Sequence, residues 1–390
     1  MSDRDTIRTI ETFIVAIPRE TPYLGPLRDG ETVNRAGYVV RRGNRTLYPT
    51  ADRTVLVKVT AESGAVGWGE TYGIVAPRAV TEIISDVIAP VLEGMPADAP
   101  APAHDLLYDL MRVRGFWSGF WTDALAAVDI ALWDLSARRL GVPVSSLLGG
   151  RRHATLPAYV SGLPAATLAE RCAMAQHFRD QKFGAVKFAA VVADDGPVTE
   201  IAALREALGP ATKIMADLHW KFSAAEAIRV ISAMAPHDLA FAEAPCAPED
   251  VLGQAEVARA VSVPIALGEE LRGSFEWLPR FRHRCMAIAQ PEMARTGITE
   301  FMRIAALCHA HHVAVAPHAT VGVGIFLAAS LHCASTLADV PWHEYQHSIF
   351  DRHAALVEAD MACSAGAYSV PTGPGLGVVP SERLFDHVVG

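Results

Sequence analysis

Nothing in this sequence is both apolar and long enough to span a bilayer, since the alanine-rich runs near residues 124–133 and 325–335 are broken by Asp, His or Ser. A soluble protein is expected. Positive charge is in short supply: 34 Lys and Arg stand against 43 Asp and Glu, a formal net charge of −9, which leaves no basic face for nucleic acid or an anionic membrane. The expected partner is a small molecule. The six cysteines, at 172, 246, 285, 308, 333 and 363, form no close pair of the kind that marks zinc or redox motifs, and they read as buried thiols of a reducing cytoplasm. The opening residues, MSDRDTIRTIETF, are charged and carry no apolar core ahead of a small-residue cleavage site, so no secretory signal is expected and a cytoplasmic location follows. No Gly-rich dinucleotide fingerprint follows any expected strand, and GVGI at 322–325 is too weak to claim a phosphate.

What is present is apolar content of 51% over 390 residues, enough for one or two domains with sizeable cores. Residues 6–17 and 53–60 alternate apolar and polar side chains, and GAVGWGE (64–70) follows a short turn, which predicts an antiparallel meander. Residues 18–50, rich in Gly, Pro and Arg, predict a long loop with strand ends. From about 78 to 140 the pattern is helical, ending in TDALAAVDIALWDLSARRLG with Thr122 as N-cap and Gly141 as stop. From 155 onward short β-rich runs alternate with amphipathic helices: LPAYVSG, AVKFAA, KIMADL, LAFAEA, PIALGE, MAIAQP and VAVAPH. Such repetition implies parallel strands, in an open sheet or a closed barrel, and an eighth run near WHEYQ (342–346) favours the barrel.

With that phasing, successive strands end at Lys187, Asp217 with His219, Glu243, Glu269, Glu292 and His318. The C-terminal ends of barrel strands form one face, so these residues should converge although they are far apart in sequence. Several carboxylates at one barrel mouth repel one another unless a cation is present. Asp217, Glu243 and Glu269 suit an octahedral oxygen-ligand site, for which Mg2+ is the natural ion and Mn2+ a chemically similar one. Glu292 is placed to orient His318 as a general base.

The constellation resembles the enolase superfamily, and within it the mandelate racemase / muconate lactonizing enzyme-like group. Nearly the whole chain carries the resemblance: the VGWGE turn, the helix ALAAVDIALWDLSARRLGVPVSSLLGG, the acids in ADLHW, FAEAP and LGEE, the QPE and PH pair, and the closing GPGLG. It implies an α/β architecture, a modified (β/α)8 TIM barrel with an N-terminal α+β capping domain. The cap would comprise residues 1–130, completed by the tail from about 360 to 390, and a (β/α)7β-type barrel would occupy 131–359. It also implies a metal at Asp217, Glu243 and Glu269 that stabilises an enolate, and a carboxylate-binding Glu344 opposite Lys187.

Departures from the pattern narrow the chemistry. Relatives commonly read Lys-x-Lys where this chain has Lys187-Phe188-Ala189, so a two-base racemisation through the second lysine is not expected. His219 stands where many relatives carry Asn, as in acid-sugar dehydratases, where the matching histidine is an acid. Glu292 replaces the usual Asp of the dyad, and Ala244 the second Glu of Glu-Glu-Pro. The expectation is a lyase acting on an aldonate or aldarate: Lys187 and Glu344 hold the carboxylate, His318 removes the C2 proton, and His219 protonates the departing C3 hydroxyl to give a 2-keto-3-deoxy acid. The lid would come from Tyr23-Leu24 and Tyr72-Gly73, and the aromatic residues of 114–121 would pack between domains or line the pocket. An epimerase, racemase or sugar-lactone cycloisomerase would need the same metal and base without an acid at His219. A non-catalytic carboxylate-binding relative would lack the base. A homo-oligomer is the default expectation for a soluble enzyme.

Overall fold

Strands Ile7–Pro18, Ala51–Ala61 and Val66–Tyr72 pair antiparallel in that order, the meander read from their alternation. The structure, a computed structural model, describes residues 5–43, 45–319 and 322–389. The start of the N-terminal run, residues 1–4, and the last residue of APHAT lie outside it. Within the expected loop, Tyr38–Arg41 and Thr46–Pro49 pair as a short antiparallel ribbon.

The helix Phe120–Leu140 lies on the meander and is buried on nearly every side. Its run of alanines permits this, because small side chains let a sheet approach the helix backbone. Gly67 and Gly69 complete the approach: a Cβ on Gly69 would fall on the Ala127 carbonyl oxygen. Thr122 is not the N-cap. The helix starts three residues earlier, with Gly119 at the cap, and the Thr122 hydroxyl donates back to the Gly119 carbonyl at 2.9 Å. It stops at Gly141, whose φ of 68° suits the left-handed turn there. The helix runs through residue 130, so the chain has no break at the expected domain boundary.

Eight parallel strands follow: β1 (Thr155–Ser161), β2 (Ala185–Ala189), β3 (Lys213–Asp217), β4 (Leu239–Glu243), β5 (Ile265–Leu267), β6 (Ile288–Ala289), β7 (Ala314–Val315) and β8 (His343–Tyr345). Neighbours pair in sequence order from β1 to β7, and β8 pairs with β1. The Glu344 amide donates to the Pro317 carbonyl at 3.2 Å and closes the ring. One helix follows each of the first seven strands, which gives the (β/α)7β barrel. Thr167 with Glu170 and Ser223 with Glu226 form capping boxes that start two of these helices.

The barrel interior is stratified. Tyr159, Ala185, Met215, Phe241, Ala266, Ile288 and Ala316 form one buried apolar cluster, with Trp342 packed against it. Side chains alternate along a strand, so the residues two further on form the next layer on the same inner face. Those residues are Ser161, Lys187, Asp217, Glu243, Gly268, Gln290, His318 and Glu344. An apolar floor thus carries a polar layer directly above it.

Carboxylates of the meander and of the helix packed on it fasten distant segments of the chain. Asp134 accepts from the Trp68 amide at 2.8 Å, from the Leu376 amide at 2.7 Å and from Arg138 at 2.8 Å. Glu70, of VGWGE, accepts from the amides of Val323, Ile325 and Phe326 at 2.6 to 3.1 Å, where the helix Ile325–Ser335 begins. A carboxylate there satisfies unpaired N–H groups and meets the positive end of the helix. The tail crosses both regions: Ala367–Ser369 pairs antiparallel with β1, and the Val389 amide donates to the Ile14 carbonyl at 2.8 Å.

Candidate active site

Lys187, Asp217, His219, Glu269, His318 and Glu344 line one cavity of about 360 Å³ between the barrel mouth and the cap. Glu243 and Glu292 lie just behind its wall, 1% and 0% exposed. All eight residues singled out in the sequence therefore meet at one place.

On one side, the Lys187 ammonium donates to Glu243 Oε2 at 2.7 Å and pairs with Glu344 Oε1 at 3.1 Å. Burial disfavours this charge, but Glu243 and Glu344 outweigh it and hold the lysine well above its usual pKa. On the other side, His318 Nδ1 lies 2.7 Å from Glu292 Oε2, and the same oxygen accepts from the Tyr72 hydroxyl at 2.6 Å. Glu292 Oε1 accepts from the Ala294 amide at 3.0 Å. Glu292 in place of Asp is thereby accommodated: a cap tyrosine and a helix-start amide both grip the longer carboxylate. Burial and Glu292 push the Tyr72 phenol well above its usual pKa, so it remains a donor.

His318 Nε2 faces the carboxylates, 2.6 Å from Glu269 Oε2 and 3.4 Å from Glu344 Oε2. Burial opposes the imidazolium, but Glu269 and Glu344 overcome it and raise the pKa well above the ordinary histidine value. His219 sits beside Asp217, its amide and Nδ1 at 2.9 and 3.0 Å from Asp217 Oδ1. Burial again opposes the charge, and Asp217 raises the pKa. His219 and Trp220 both adopt left-handed φ, 50° and 52°, a conformation that side chains other than Gly rarely hold without local support. The Trp220 amide, donating to the Ala244 carbonyl at 2.7 Å, supplies part of that support.

The carboxylates fit a hard divalent cation. Asp217 and Glu243 end strands paired in register, and Glu269 lies two residues past the end of the next strand. Glu243 Oε1 is buried with no hydrogen-bond partner among the described residues. Burial, then Asp217, Glu269 and Glu344, push the Glu243 carboxyl up to about 8 even beside Lys187. Such a group is relieved by a cation more readily than by water. Among the described residues, ligand atoms of Glu243, Glu269 and His318 lie within 4.8 Å of one another, while Asp217 Oδ1 is turned to His219. Oxygen donors suit Mg2+ or Mn2+, and His318 is already oriented by Glu292, so Asp217 is the better third ligand on chemical grounds.

Other residues of the site were not singled out from the sequence. Gln290 donates to Glu243 Oε2 at 2.7 Å, and Tyr159 lies 3.4 Å from the Lys187 ammonium. Gln290 was legible, two residues past Ile288 on the face that carries the rest. Arg272 and Arg295 also line the cavity, and Arg272 is held by Asp123 of the cap at 2.8 and 3.1 Å.

Two family models match the chain: the mandelate racemase / muconate lactonizing enzyme N-terminal domain over residues 46–149, and the enolase C-terminal domain-like model over 167–384. A D-galactonate dehydratase from Ralstonia nicotianae is 32% identical, covering 87% of this chain and 92% of that protein. A D-galactarolactone cycloisomerase from Agrobacterium fabrum is 28% identical, covering 83% and 88%. Among solved structures, a Sinorhizobium meliloti protein provisionally described as an isomerase superposes with a TM-score of 0.98 at 54% identity, over 99% of this chain and 100% of that one. A Streptomyces coelicolor racemase with bound magnesium gives 0.85 at 26% identity, over 98% and 100%.

Proposed function

Because the chain belongs to the enolase superfamily, we propose that it is a metal-dependent dehydratase of a sugar acid, an aldonate or aldarate, yielding a 2-keto-3-deoxy acid. The observation that carries this reading is that two histidines, His318 and His219, line one cavity with Lys187 and the carboxylate cluster. Asp217, Glu243 and Glu269 would hold the cation, Mg2+ or Mn2+. Bound there, it would draw charge from the substrate carboxylate and lower the cost of removing the α-proton.

Lys187 and Glu344 position that carboxylate, the ammonium as a charge-assisted donor and Glu344 as the proton-bearing acid, since two carboxylates meet only across a shared proton. His318 takes the C2 proton on Nε2, because Nδ1 is committed to Glu292. With Glu269 committed to the cation, Nε2 would be free of its 2.6 Å contact and the imidazole would lose the strongest carboxylate attraction that raises its pKa, which favours the neutral base. His219, kept protonated by Asp217, delivers a proton to the C3 oxygen as the C–O bond breaks. Loss of the C2 proton and of the protonated C3 hydroxyl leaves an enol that tautomerises to the 2-keto acid, so one water is released overall. A small-molecule carboxylate substrate agrees with the D-galactonate named for the Ralstonia relative.

A second reading, an isomerase such as a sugar-lactone cycloisomerase, is supported by the names of the Agrobacterium and Sinorhizobium relatives. It uses the same base and leaves His219 without an acid role. Proton NMR of five- and six-carbon sugar acids in heavy water, with magnesium, distinguishes the two. Dehydration replaces the C2 signal with that of a 3-deoxy methylene carrying one deuterium, because the enol takes its C3 proton from the solvent. Deuterium exchange at C2 or a ring rearrangement without that methylene would establish the isomerase instead.

A further inference from the structure

Each charged side chain lining the cavity has an ionic partner within 4 Å among the described residues, with one exception. Lys187 pairs with Glu243 and Glu344, Asp217 with His219, and Glu269 with His318. Asp52 pairs with Arg19 and His353, and Asp123 with Arg272. Arg295 makes no ion pair and no side-chain hydrogen bond among the described residues. Its guanidinium lies 5.0 Å from the centroid of the Tyr72 ring, and its Nε is sealed without a partner. The nearby carboxylate of Glu270 leans instead toward Arg280, at 3.9 Å. The Arg295 side chain is half-buried, so the part that meets the cavity is the end of the guanidinium. An unpaired guanidinium partly withdrawn from water is costly unless an anion completes it.

Its place in the barrel says where that anion would lie. Arg295 follows β6 and packs on Tyr72 of the cap, whereas Lys187 is on β2, four strands away and so across an eight-stranded ring. Lys187, Glu344, Tyr72 and Arg295 line the same cavity, so a substrate held by one carboxylate at Lys187 and Glu344 can present its far end to Arg295.

We propose that Arg295 binds a second carboxylate, at the far end of the substrate, so that the site selects six-carbon dicarboxylic sugar acids over the corresponding monocarboxylic ones. This rests on the sugar-acid reading above and names the class within it. The guanidinium fork matches a carboxylate by two parallel hydrogen bonds, which a terminal hydroxymethyl group cannot accept. A charge-assisted contact of this kind corresponds to a preference of about ten- to a hundredfold.

The test is calorimetric binding to the magnesium-loaded protein of three acid pairs: galactarate with galactonate, glucarate with gluconate, and mannarate with mannonate. Members of a pair differ only in the group at C6. In the pair that binds tightest, the dicarboxylate should be favoured at least tenfold. Arg295→Met should reduce that preference to within about threefold, and Arg295→Lys should retain part of it. Equal affinities within every pair in the native protein would overturn the proposal, as would a preference that survives in Arg295→Met. If Arg295 merely balances the carboxylates around Glu292 and Glu269, Arg295→Met weakens both acids and magnesium equally, and the proposal fails. Binding of none of the six acids would instead remove the sugar-acid reading itself, and this inference with it.

Discussion

At the scale of the residue, the dyad of Glu292 and His318 is the feature whose detail matters most. Glu292 Oε2 receives both His318 Nδ1 and the Tyr72 hydroxyl, at 2.7 and 2.6 Å, which fixes the imidazole tautomer and leaves Nε2 toward the cavity. Replacing the carboxylate by an amide keeps the shape but lets the side chain donate toward Nδ1, which favours the tautomer with its proton on Nε2, unable to act as a base. Glu292→Gln should therefore slow C2 deuterium exchange by roughly 10³- to 10⁴-fold, the scale seen when an orienting carboxylate behind a catalytic histidine is neutralised. Exchange followed by NMR, alongside the far-ultraviolet circular dichroism of the variant, checks this. An exchange rate within tenfold of the native protein would show that Glu292 is only a buried polar partner.

At the scale of the element, the helix Phe120–Leu140 and the VGWGE strand depend on close backbone approach. Gly69 is required because any Cβ would overlap the Ala127 carbonyl, and the helix backbone cannot move away without disturbing the Asp134 contacts to Trp68 and Leu376. Gly69→Ala should destabilise the protein by roughly 3 kcal/mol, the range for overpacking against a rigid neighbour. A thermal midpoint within about a degree of the native one would show that sheet and helix can separate cheaply. Both motifs are thus explained by packing, and the same elements reach the site at their ends: Asp123 of the helix holds Arg272, and Tyr72, which ends the strand, donates to Glu292. Glu70 of the same strand acts at a distance, by holding Val323 and the start of Ile325–Ser335.

At the scale of the whole molecule, stability should depend on pH through histidines buried in neutral form. His332 Nε2 donates to the Leu376 carbonyl at 3.1 Å while its Nδ1 accepts from the Ser145 amide at 3.4 Å. His343 Nδ1 donates to the Glu344 carbonyl at 3.1 Å while its Nε2 accepts from the Ser330 hydroxyl at 2.8 Å. A second proton on His332 would face the Ser145 amide, and burial pushes the pKa values of both rings down to about 4. In the unfolded chain each returns to about 6.5, so between these values the unfolded state binds more protons. The stabilisation is complete above pH 6.5 and is lost as pH falls toward 4, by at most roughly 3 kcal/mol per histidine. Urea midpoints at pH 7 and pH 4.5 should therefore diverge, and His332→Asn should narrow that gap. An unchanged gap in the variant would place the acid sensitivity elsewhere.

Much of this organisation was already present in the order of residues. Period-two alternation marks the meander, the spacing of short β-rich runs marks a barrel, and acids at strand ends mark its mouth, because strand geometry sends every second side chain to the same face. The convergence of Lys187, Asp217, Glu243, Glu269, Glu292 and His318 follows from that local rule repeated around a ring. Contacts between cap and barrel do not follow from any local rule. Tyr72 on Glu292 joins residues 220 apart in the chain, and the unpaired state of Arg295 depends on where Asp123 and Arg272 meet across 149 positions. Such pairings are set by how two separately patterned cores dock. Sequence alone determined which groups face the barrel mouth, and only the tertiary structure decided which charges there are satisfied and which one is left for a ligand.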